Sequence, residues 1–271
     1  MQRPIVVILA RGLGTRMRRG DPGAALADEQ ARVADTGVKA MIPIGRPFLD
    51  YVLSGLADAG LREVCLVIGP EHGAIREYYG TTARPSRLHI EYAIQARPLG
   101  TADAVASASD VVGERPCLVL NSDNYYPVEA YRALVAMDGP GLVAFERDAM
   151  ARLGNVPAER AGQLAVVRIG SDGHLLDVIE KPDEATLASL GSEVYLSMNC
   201  WRFDRTVLDA CGRVAPSARG ERELPDAVRL AQREGGTTFR VVRLKAGVLD
   251  LSSRSDVAGV ARHLAGVEVR L

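Results

Sequence analysis

A glycine-rich, basic turn near the start of the sequence contains the residue types that bind phosphate. Gly12, Gly14, Thr15 and Arg16 follow the apolar run PIVVILA at 4–10, which predicts a buried strand. Small residues let backbone N–H groups face a phosphate, and an arginine adds a positive charge. A plain strand–helix turn is the alternative interpretation of this segment.

Two well-known nucleotide-binding loops do not fit this turn. Met17 stands where the dinucleotide fingerprint GxGxxG has its third glycine, which argues against an NAD-linked Rossmann enzyme. No Gly-Lys-Ser/Thr follows the turn, so it is not a Walker A loop. A phosphate-binding turn of another kind therefore remains.

Two aspartates in strand-like runs could hold a magnesium ion. Asp123 ends the run PCLVLNSD, and Asp250 lies in the apolar run GVLDL. Mg²⁺ favours one or two carboxylates together with substrate phosphates. A buried carboxylate needs a partner, and a metal shared by both aspartates would supply one. A turn-forming role for Asp123 is the alternative.

Two further segments could contact a ligand, although each has an ordinary alternative. The tripeptide EKP ends a strand and places Glu180 beside Lys181, which also suits an exposed edge turn. QARPLGTADAV at 95–105 contains a Gly-Thr turn that opens a helix and offers N–H groups to a ligand.

These residues are positioned by alternating apolar strands and amphipathic helices. Such alternation predicts a mostly parallel sheet covered on both faces, with ligands bound at the carboxyl ends of its strands. Beyond residue 164, strands that include a hairpin near Gly170–Gly173 continue the same sheet. Residues 18–37 are polar and weakly periodic, which predicts a mobile loop with about one helical turn. The predicted strands include 4–10, 64–69, 88–94, 116–123 and 141–146, and the predicted helices are 48–60, 128–137, 205–213, 223–235 and 255–265.

Composition excludes several classes of partner. The net charge of −1 provides no bulk attraction to nucleic acid or to an anionic membrane. No apolar run approaches the roughly 18 residues of a membrane span, and the N-terminus lacks the pattern of a secretory signal. The four cysteines show no CxxC spacing, which favours reduced core thiols in a cytoplasmic protein. We expect one domain over residues 1–271, without a low-complexity linker or an internal repeat.

Six motifs in order resemble those of the sugar-1-phosphate nucleotidyltransferases, also called sugar-nucleotide pyrophosphorylases. The resemblance covers nearly the whole chain, from about residue 4 to residue 256. It implies a three-layer αβα, Rossmann-like nucleotidyltransferase fold of the GT-A-like α/β class, with a mixed, mostly parallel central sheet. It also implies a nucleotide-binding half at about 1–146 and a sugar-phosphate-binding half at about 147–271. The motifs are LARGLGTRM, VKAMIPIG, QARPLGTADAV, LNSDN, EKP and GVLDLSS.

The resemblance also implies a role for each matching residue. Only three lysines occur beside 30 arginines, and two of the lysines fall on motif positions. The expected partners are an NTP and a sugar 1-phosphate, with Mg²⁺ as cofactor, and the family usually forms dimers or tetramers. The implied nucleotide-binding residues are Leu9, Ala10, Arg11, Gly12, Gly14, Thr15, Gln95, Gly100 and Thr101; the catalytic residues are Arg16, Lys39, Asp123 and Lys181; the sugar-phosphate-binding residues are Glu180, Lys181 and Asn199; and the metal ligands are Asp123 and Asp250.

Several positions depart from the family pattern. Arg11 replaces a residue that is usually Gly or Ala, Val38 replaces a proline, Ser122 replaces a glycine, and Asn199 falls where a glycine often faces the sugar. DLSS stands where Asp-Val-Gly-Thr is usual, and residues 18–37 resemble an insertion. The hexapeptide repeats of a β-helix do not occur, so we expect no C-terminal β-helix domain. These changes spare the charged residues but alter the walls of the expected pocket.

The function implied by the resemblance is nucleotidyl transfer from an NTP to a sugar 1-phosphate, which yields an NDP-sugar and pyrophosphate. The Gln95 amide favours a pyrimidine donor, UTP or dTTP, and the default sugar is a hexose, glucose. A regulatory homologue that binds sugar nucleotides but is catalytically weak is the alternative. Such a homologue would have no reason to keep the charged set Arg16, Lys39, Asp123, Lys181 and Asp250.

Overall fold

The apolar runs of the sequence form the middle of one nine-stranded sheet. The structure, a computed structural model, describes residues 3–191 and 193–271. Continuous runs of Val, Ile and Leu suit strands that are covered on both faces. The strands are β1 (Ile5–Leu9), β2 (Pro43–Ile44), β3 (Arg46–Pro47), β4 (Glu63–Ile68), β5 (His89–Ile94), β6 (Cys117–Asn121), β7 (Asn124–Tyr125), β8 (Gly141–Glu146), β9 (Val166–Ile169), β10 (Leu175–Ile179), β11 (Tyr195–Phe203), β12 (Arg240–Leu244) and β13 (Leu249–Asp250).

Helices cover both faces of this sheet. The helices predicted from periodicity are present, with ends within two residues of the expected bounds. A single 3₁₀ turn spans Lys39–Met41, and a π-helical turn spans Tyr78–Thr82. The α-helices are α1 (Thr15–Arg18), α2 (Asp28–Thr36), α3 (Phe48–Asp58), α4 (Gly73–Glu77), α5 (Thr101–Ala106), α6 (Ser109–Val112), α7 (Val128–Ala136), α8 (Arg147–Leu153), α9 (Ala158–Ala161), α10 (Glu184–Ser189), α11 (Arg205–Arg213), α12 (Leu224–Gly235) and α13 (Asp256–Leu264).

The centre of the sheet is parallel and its far side is mixed. The main path runs β10-β9-β11-β6-β1-β4-β5, with β8 paired to β11 and β12 paired to β8. Strands β6, β1, β4 and β5 are mutually parallel, whereas β11 is antiparallel to β6, β8 and β9. The hairpin expected near Gly170–Gly173 joins β9 and β10. Because β1, β5 and β6 point the same way, the segments that follow them meet at one edge of the sheet.

Two apolar cores lie on opposite faces of the sheet. Val6 and Ile8 of β1 pack in one core with α3, α7 and α13. Ile5 and Val7 pack in the other core with α5, α11 and α12. Successive residues of a strand point to opposite faces, so one apolar strand contributes to both cores. The expected three-layer αβα fold with a mixed central sheet is confirmed.

The four cysteines are buried and free, as expected for core thiols. Burial is the main cause that raises the pKa of the Cys65 thiol to about 12. A thiol with such a pKa is poorly reactive near neutral pH. Among the described residues, no helix is both long enough and apolar enough to cross a membrane.

The prediction of about one helical turn within residues 18–37 is wrong. Helix α2 spans nine residues, Asp28–Thr36, and ends at Gly37 with φ +76°. The Gln30 side chain accepts a hydrogen bond from Ala27 N at 3.1 Å and donates one to Pro43 O at 2.9 Å. Only Ala34 of this helix is buried, so the sequence carries almost no apolar periodicity.

The strand that carries Asp250 is shorter than GVLDL suggests. Strand β13 contains only Leu249 and Asp250, and it pairs with the two residues of β7 outside the central sheet. This pairing places Asp250 opposite Asn124, the residue after Asp123. The short β7–β13 pairing thus brings Asp123 and Asp250 close together.

An aromatic cluster beneath α11 and α12 leads to a prediction about stability. Phe239 is fully buried and lies 6.2 Å from Trp201 and 6.3 Å from Phe203 between ring centroids. We expect Phe239→Ala to lower the free energy of unfolding by about 3–5 kcal/mol, because it leaves a cavity in a packed core. Urea denaturation measures the change, and Leu176→Ala, at a side chain that is 54% exposed, is the control. A loss below about 1 kcal/mol in Phe239→Ala would contradict this account of the core.

Candidate active site

The glycine-rich turn follows β1 at the carboxyl edge of the sheet and is packed against a second glycine. Gly14 has φ +59°, and a Cβ at this position would lie 2.2 Å from Gly37 O. A Cβ on Gly37 would in turn lie 2.4 Å from Arg18 Nε. Arg18 also donates hydrogen bonds to Thr36 O, at 3.1 Å from Nε and 2.7 Å from Nη2. The segment 18–37 therefore packs back onto the turn, and two glycines make the close contact possible.

This return of the chain brings Lys39 to the edge of the sheet. Lys39 lies in the 3₁₀ turn directly after Gly37 and Val38. Its Nζ forms an ion pair with Asp123, which follows β6, and both side chains are mostly buried. The lysine and the aspartate that the sequence assigns to catalysis are therefore in direct contact.

Asp250 is a buried carboxylate with three side-chain hydrogen-bond donors. Its Oδ1 accepts from Asn124 Nδ2 at 3.0 Å and from Ser252 Oγ at 2.9 Å. Its Oδ2 pairs with Arg160 Nη2 at 2.8 Å, while Arg160 Nη1 bonds Asp256 at 2.6 Å. The partner that a buried aspartate requires is thus supplied by an arginine that the sequence analysis did not identify.

The environment of Asp250 disfavours its charged form. Burial, and after it the nearby charge of Asp123, raise the pKa of the Asp250 carboxyl to about 6. Arg160 acts in the opposite direction but does not cancel these effects. Two carboxylates close together in a mostly buried place are a setting that a divalent cation would stabilise.

The carboxylates of Asp123 and Asp250 suit a magnesium ion that has only one or two protein ligands. The described residues contain no group of three or more His, Cys, Asp or Glu side chains able to hold a metal. Asp123 bonds Lys39 through Oδ2, and Asp250 keeps acceptor capacity on Oδ2 beside Arg160. Mg²⁺ commonly takes one or two carboxylates and completes its shell with water and substrate phosphates. Asp123 and Asp250 are consistent with that pattern.

The segment after β5 forms a loop with a fixed amide. Gln95 is buried, and its Nε2 donates to Gly100 O at 3.0 Å and to Asp103 Oδ2 at 2.9 Å. Both amide hydrogens are therefore used within the protein, and Oε1 remains as the acceptor. Gly100 has φ +111°, and a Cβ there would lie 2.4 Å from Arg222 O. Thr101 Oγ1 accepts from Leu224 N at 2.9 Å, which ties this loop to the start of α12.

Two of the expected sugar-phosphate residues adopt a left-handed backbone conformation. Lys181 has φ +48° and Asn199 has φ +53°. Asn tolerates this region better than most residues, which explains how it replaces a frequent glycine at position 199. Asn199 also interrupts β11, whose pairing with β8 shifts between Ser197 and Trp201. Residues held in such sparsely populated backbone conformations cluster at active sites and ligand-binding loops.

Two adjoining cavities contain the residues singled out in the sequence. The first cavity is about 430 Å³ and the second about 800 Å³. The expected nucleotide-binding residues all line the first, and Glu180, Lys181, Asn199 and Asp250 line the second. The cavities share Arg16, Lys39, Asn121, Asp123, Asn199 and Ser252. Three of the four residues assigned to catalysis, Arg16, Lys39 and Asp123, are thus found where the two cavities meet, whereas Lys181 lines only the second cavity.

Sequence reasoning missed several residues of this cleft. Asn121 ends β6 and lines both cavities, so the strand-end rule that identified Asp123 could also have identified it. Arg219 lines the second cavity and lies 3.5 Å from Glu180 between Nη2 and Oε2. Arg219 and Arg160 lie far from the motifs along the chain, and no local pattern marks them.

Comparison with known proteins agrees with this architecture. The chain is 29% identical to the low-salt glycan biosynthesis nucleotidyltransferase Agl11 of Haloferax volcanii, over 84% of this chain and 57% of that protein. It is 29% identical to the glucose-1-phosphate thymidylyltransferase of Streptomyces griseus, over 82% of this chain and 56% of that protein. The chain thus spans little more than half the length of these two relatives. The UTP–glucose-1-phosphate uridylyltransferase AglF of Haloferax volcanii is 27% identical, over 92% of both chains.

A solved structure shares the fold, and a family model matches most of the sequence. The crystal structure of UDP-glucose pyrophosphorylase complexed with UDP-glucose superposes with a TM-score of 0.73, at 15% identity, over 98% of this chain and 100% of that one. The family model described as nucleotidyl transferase matches residues 25–261. Because this family model matches most of the sequence, this chain belongs to the nucleotidyl transferase family.

Proposed function

We propose that the chain transfers a nucleotidyl group from an NTP, UTP or dTTP, to a hexose 1-phosphate, with glucose as the default sugar. The products are an NDP-sugar and pyrophosphate. Residues 1–146 would form the nucleotide-binding half of one domain, and residues 147–271 the sugar-phosphate-binding half. AglF and the thymidylyltransferase carry names that describe transfer to glucose 1-phosphate, which supports the choice of sugar.

The observation that carries this proposal is the set of charged residues between the two cavities. Arg16, Lys39 and Asp123 line both cavities, so a ligand in either cavity would place its phosphate beside them. A transfer between two phosphorylated substrates requires two anions to approach within bonding distance. A binding protein for a single finished NDP-sugar has no comparable need for this arrangement.

The reaction needs positioning and positive charge more than a protein base. An oxygen of the sugar phosphate attacks the α-phosphorus of the NTP, and the bond from that phosphorus to the β-phosphate oxygen breaks. The attacking oxygen is already ionised, so no proton has to be removed. Arg16 would neutralise the departing pyrophosphate, Lys39 the phosphates during transfer, and Lys181 the sugar phosphate. Catalysis then depends on alignment and charge stabilisation.

Magnesium would add charge neutralisation at the same place. Asp123 and Asp250 would hold the ion. The ion would offset the negative charge of the substrate phosphates. Asn124 and Ser252 orient the Asp250 carboxylate through their hydrogen bonds to Oδ1. Arg160 offsets part of the negative charge of Asp250 through its contact with Oδ2.

The fixed amide of Gln95 supports a donor whose base presents an N–H group. Because Nε2 is used by Gly100 and Asp103, Oε1 can only accept a hydrogen bond from the base. Uracil and thymine carry a ring N–H between two carbonyl groups, which suits this acceptor. Cytosine has an acceptor at the ring nitrogen of that edge, so only its exocyclic amino group could donate to Oε1. The arrangement therefore supports UTP or dTTP over CTP.

A substitution at Gly100 tests whether the loop after β5 contributes to nucleotide binding. We expect Gly100→Ala to lose about tenfold in affinity for UTP, because the new Cβ would displace the Arg222 backbone and move the loop. It should also lose about 1–3 kcal/mol of stability. Gly113→Ala is the matched control, since Gly113 has φ +62° but no atom within 4 Å of its Cβ position. Titration calorimetry should show normal UTP binding in the control, and equal binding in both variants would contradict the loop assignment.

The experiment that tests the proposed function is a substrate panel. Pyrophosphate release is measured for each NTP with each of several sugar 1-phosphates, and we expect the highest rate with UTP or dTTP and glucose 1-phosphate. Release should require both substrates. If no pair releases pyrophosphate while an NDP-sugar still binds, the chain is a catalytically weak binding homologue and the proposal is wrong.

A further inference from the structure

The Arg11 side chain is buried beside the first cavity, between the phosphate turn and the loop that follows β5. Arg11 is only 8% exposed and lines that cavity together with Gln95. Its Nη2 donates to Ala96 O at 3.4 Å and lies 3.3 Å from Glu71 Oε1. The guanidinium thus bridges the turn after β1, the turn after β4 and the loop after β5.

Burial of the Arg11 side chain is energetically unfavourable, so a gain in stability does not explain why an arginine occupies this position. Its Nε and Nη1 are buried and have no hydrogen-bond partner among the described residues. Each unsatisfied buried donor lowers stability, and a buried charge needs close partners to offset its desolvation. Glu71 is a weak partner in this respect, because its side chain is 51% exposed. An apolar side chain of the same length would fill this space at lower cost.

The Arg11 side chain lies in a different place from Arg16 and Lys39, the expected phosphate ligands. Arg16 and Lys39 line both cavities and therefore lie at their junction, whereas Arg11 lines only the first. The partners of its Nη2 are the Ala96 carbonyl, in the loop after β5, and Glu71, in the turn after β4. Ala96 is the residue directly after Gln95, which lines the first cavity, where the proposed function places the base.

We propose that Arg11 is a positioning residue for the nucleoside part of the NTP, because it holds the Gln95–Gly100 loop at a fixed distance from the phosphate turn. This inference rests on the proposed function, in which an NTP occupies the first cavity. A glycine or alanine at this position could not form this link.

The test compares a nucleotide with its phosphate part alone. Titration calorimetry measures binding of UTP, dTTP and inorganic tripolyphosphate to the wild-type chain, Arg11→Met and Arg11→Gly. We expect about tenfold weaker nucleotide binding in both variants, with tripolyphosphate binding changed by less than about twofold. Arg11→Met keeps the volume of the side chain, so we expect its Tm to be no lower than that of the wild type. This variant keeps the test valid even if Arg11→Gly folds poorly.

Two further measurements separate positioning from a general structural effect. Arg11→Met should weaken UTP binding much less in a Gln95→Ala background, because both changes act on the same loop. Arg76→Ala, which removes an exposed arginine from the neighbouring helix α4, should bind both ligands as the wild type does.

Three results would overturn the inference. Equal losses for UTP and tripolyphosphate would make Arg11 a phosphate ligand, and unchanged UTP binding in both variants would make it a bystander. If the wild-type chain binds tripolyphosphate but no NTP, the proposed function fails and the inference fails with it. The first two results leave the proposed function intact, so the two failures are distinguishable.

Discussion

Asp123→Asn is expected to lower the rate of NDP-sugar formation by about 10²–10³-fold while the protein remains folded. The substitution keeps the shape of the side chain but removes the charge that pairs with Lys39 and that would hold Mg²⁺ beside Asp250. Loss of a single charge contact at a developing transition state commonly has an effect of this size. The measurement is kcat under saturating substrates, with thermal unfolding followed in parallel.

The loss in Asp123→Asn should be confined to catalysis. We expect a Tm within a few degrees of the wild type, because the side chain is not part of either apolar core. Added Mg²⁺ should restore little activity, since the missing group is the ligand and not the ion. Asp110→Asn, at an exposed position in α6, is the matched control and should keep full activity. A kcat within twofold of the wild type in Asp123→Asn would remove Asp123 from the catalytic set.

Lys39→Met is expected to have an effect of similar size, about 10²–10³-fold on kcat. Lys39 is positioned at the junction of the two cavities by Gly37 and by the return of the segment that contains α2. A compact ammonium on a flexible stem can follow phosphate oxygens as the bonds change. Lys39→Arg should recover only part of the rate, because a flat, wider guanidinium does not fit the same contact.

The chain contains a natural control for this substitution. Lys245 is exposed and forms surface ion pairs with Glu146 at 3.5 Å and Glu193 at 3.2 Å. Lys245→Met should therefore leave kcat unchanged. In the double variant Lys39→Met/Asp123→Asn the losses should be far from additive, since the two side chains form one ion pair. Additive losses would mean that the two residues act independently.

The central sheet and its carboxyl edge could be predicted from the sequence because both depend on local patterns. Apolar runs identified β1, β4 and β6, and the strand-end rule placed Asp123 and the phosphate turn at one edge. The predicted site residues all line the two cavities. The segments after β1, β5 and β6 meet there because these strands are parallel, whereas Lys39, Asn199 and Asp250 reach the cavities from a 3₁₀ turn and from antiparallel strands. Their roles remain predictions that the variants above will test.

Features that depend on tertiary contacts could not be predicted in this way. Helix α2 buries only Ala34 and is fixed by Gln30 and Gly37, so its periodicity is too weak to detect. The partner of Asp250 is Arg160, which lies 90 residues away in the chain. The contacts of Arg11 likewise join three turns that no local spacing connects.

The most direct test of the account is to follow the α-phosphate of the NTP. UTP or dTTP radiolabelled at the α-phosphate is incubated with Mg²⁺ and glucose 1-phosphate, and the products are separated. The account predicts that the label passes into an NDP-sugar, formed in equal amounts with unlabelled pyrophosphate and only when both substrates are present. Label that stays in the NTP with every sugar 1-phosphate tested, in a protein that binds NDP-sugar, would contradict nucleotidyl transfer at the junction of the two cavities.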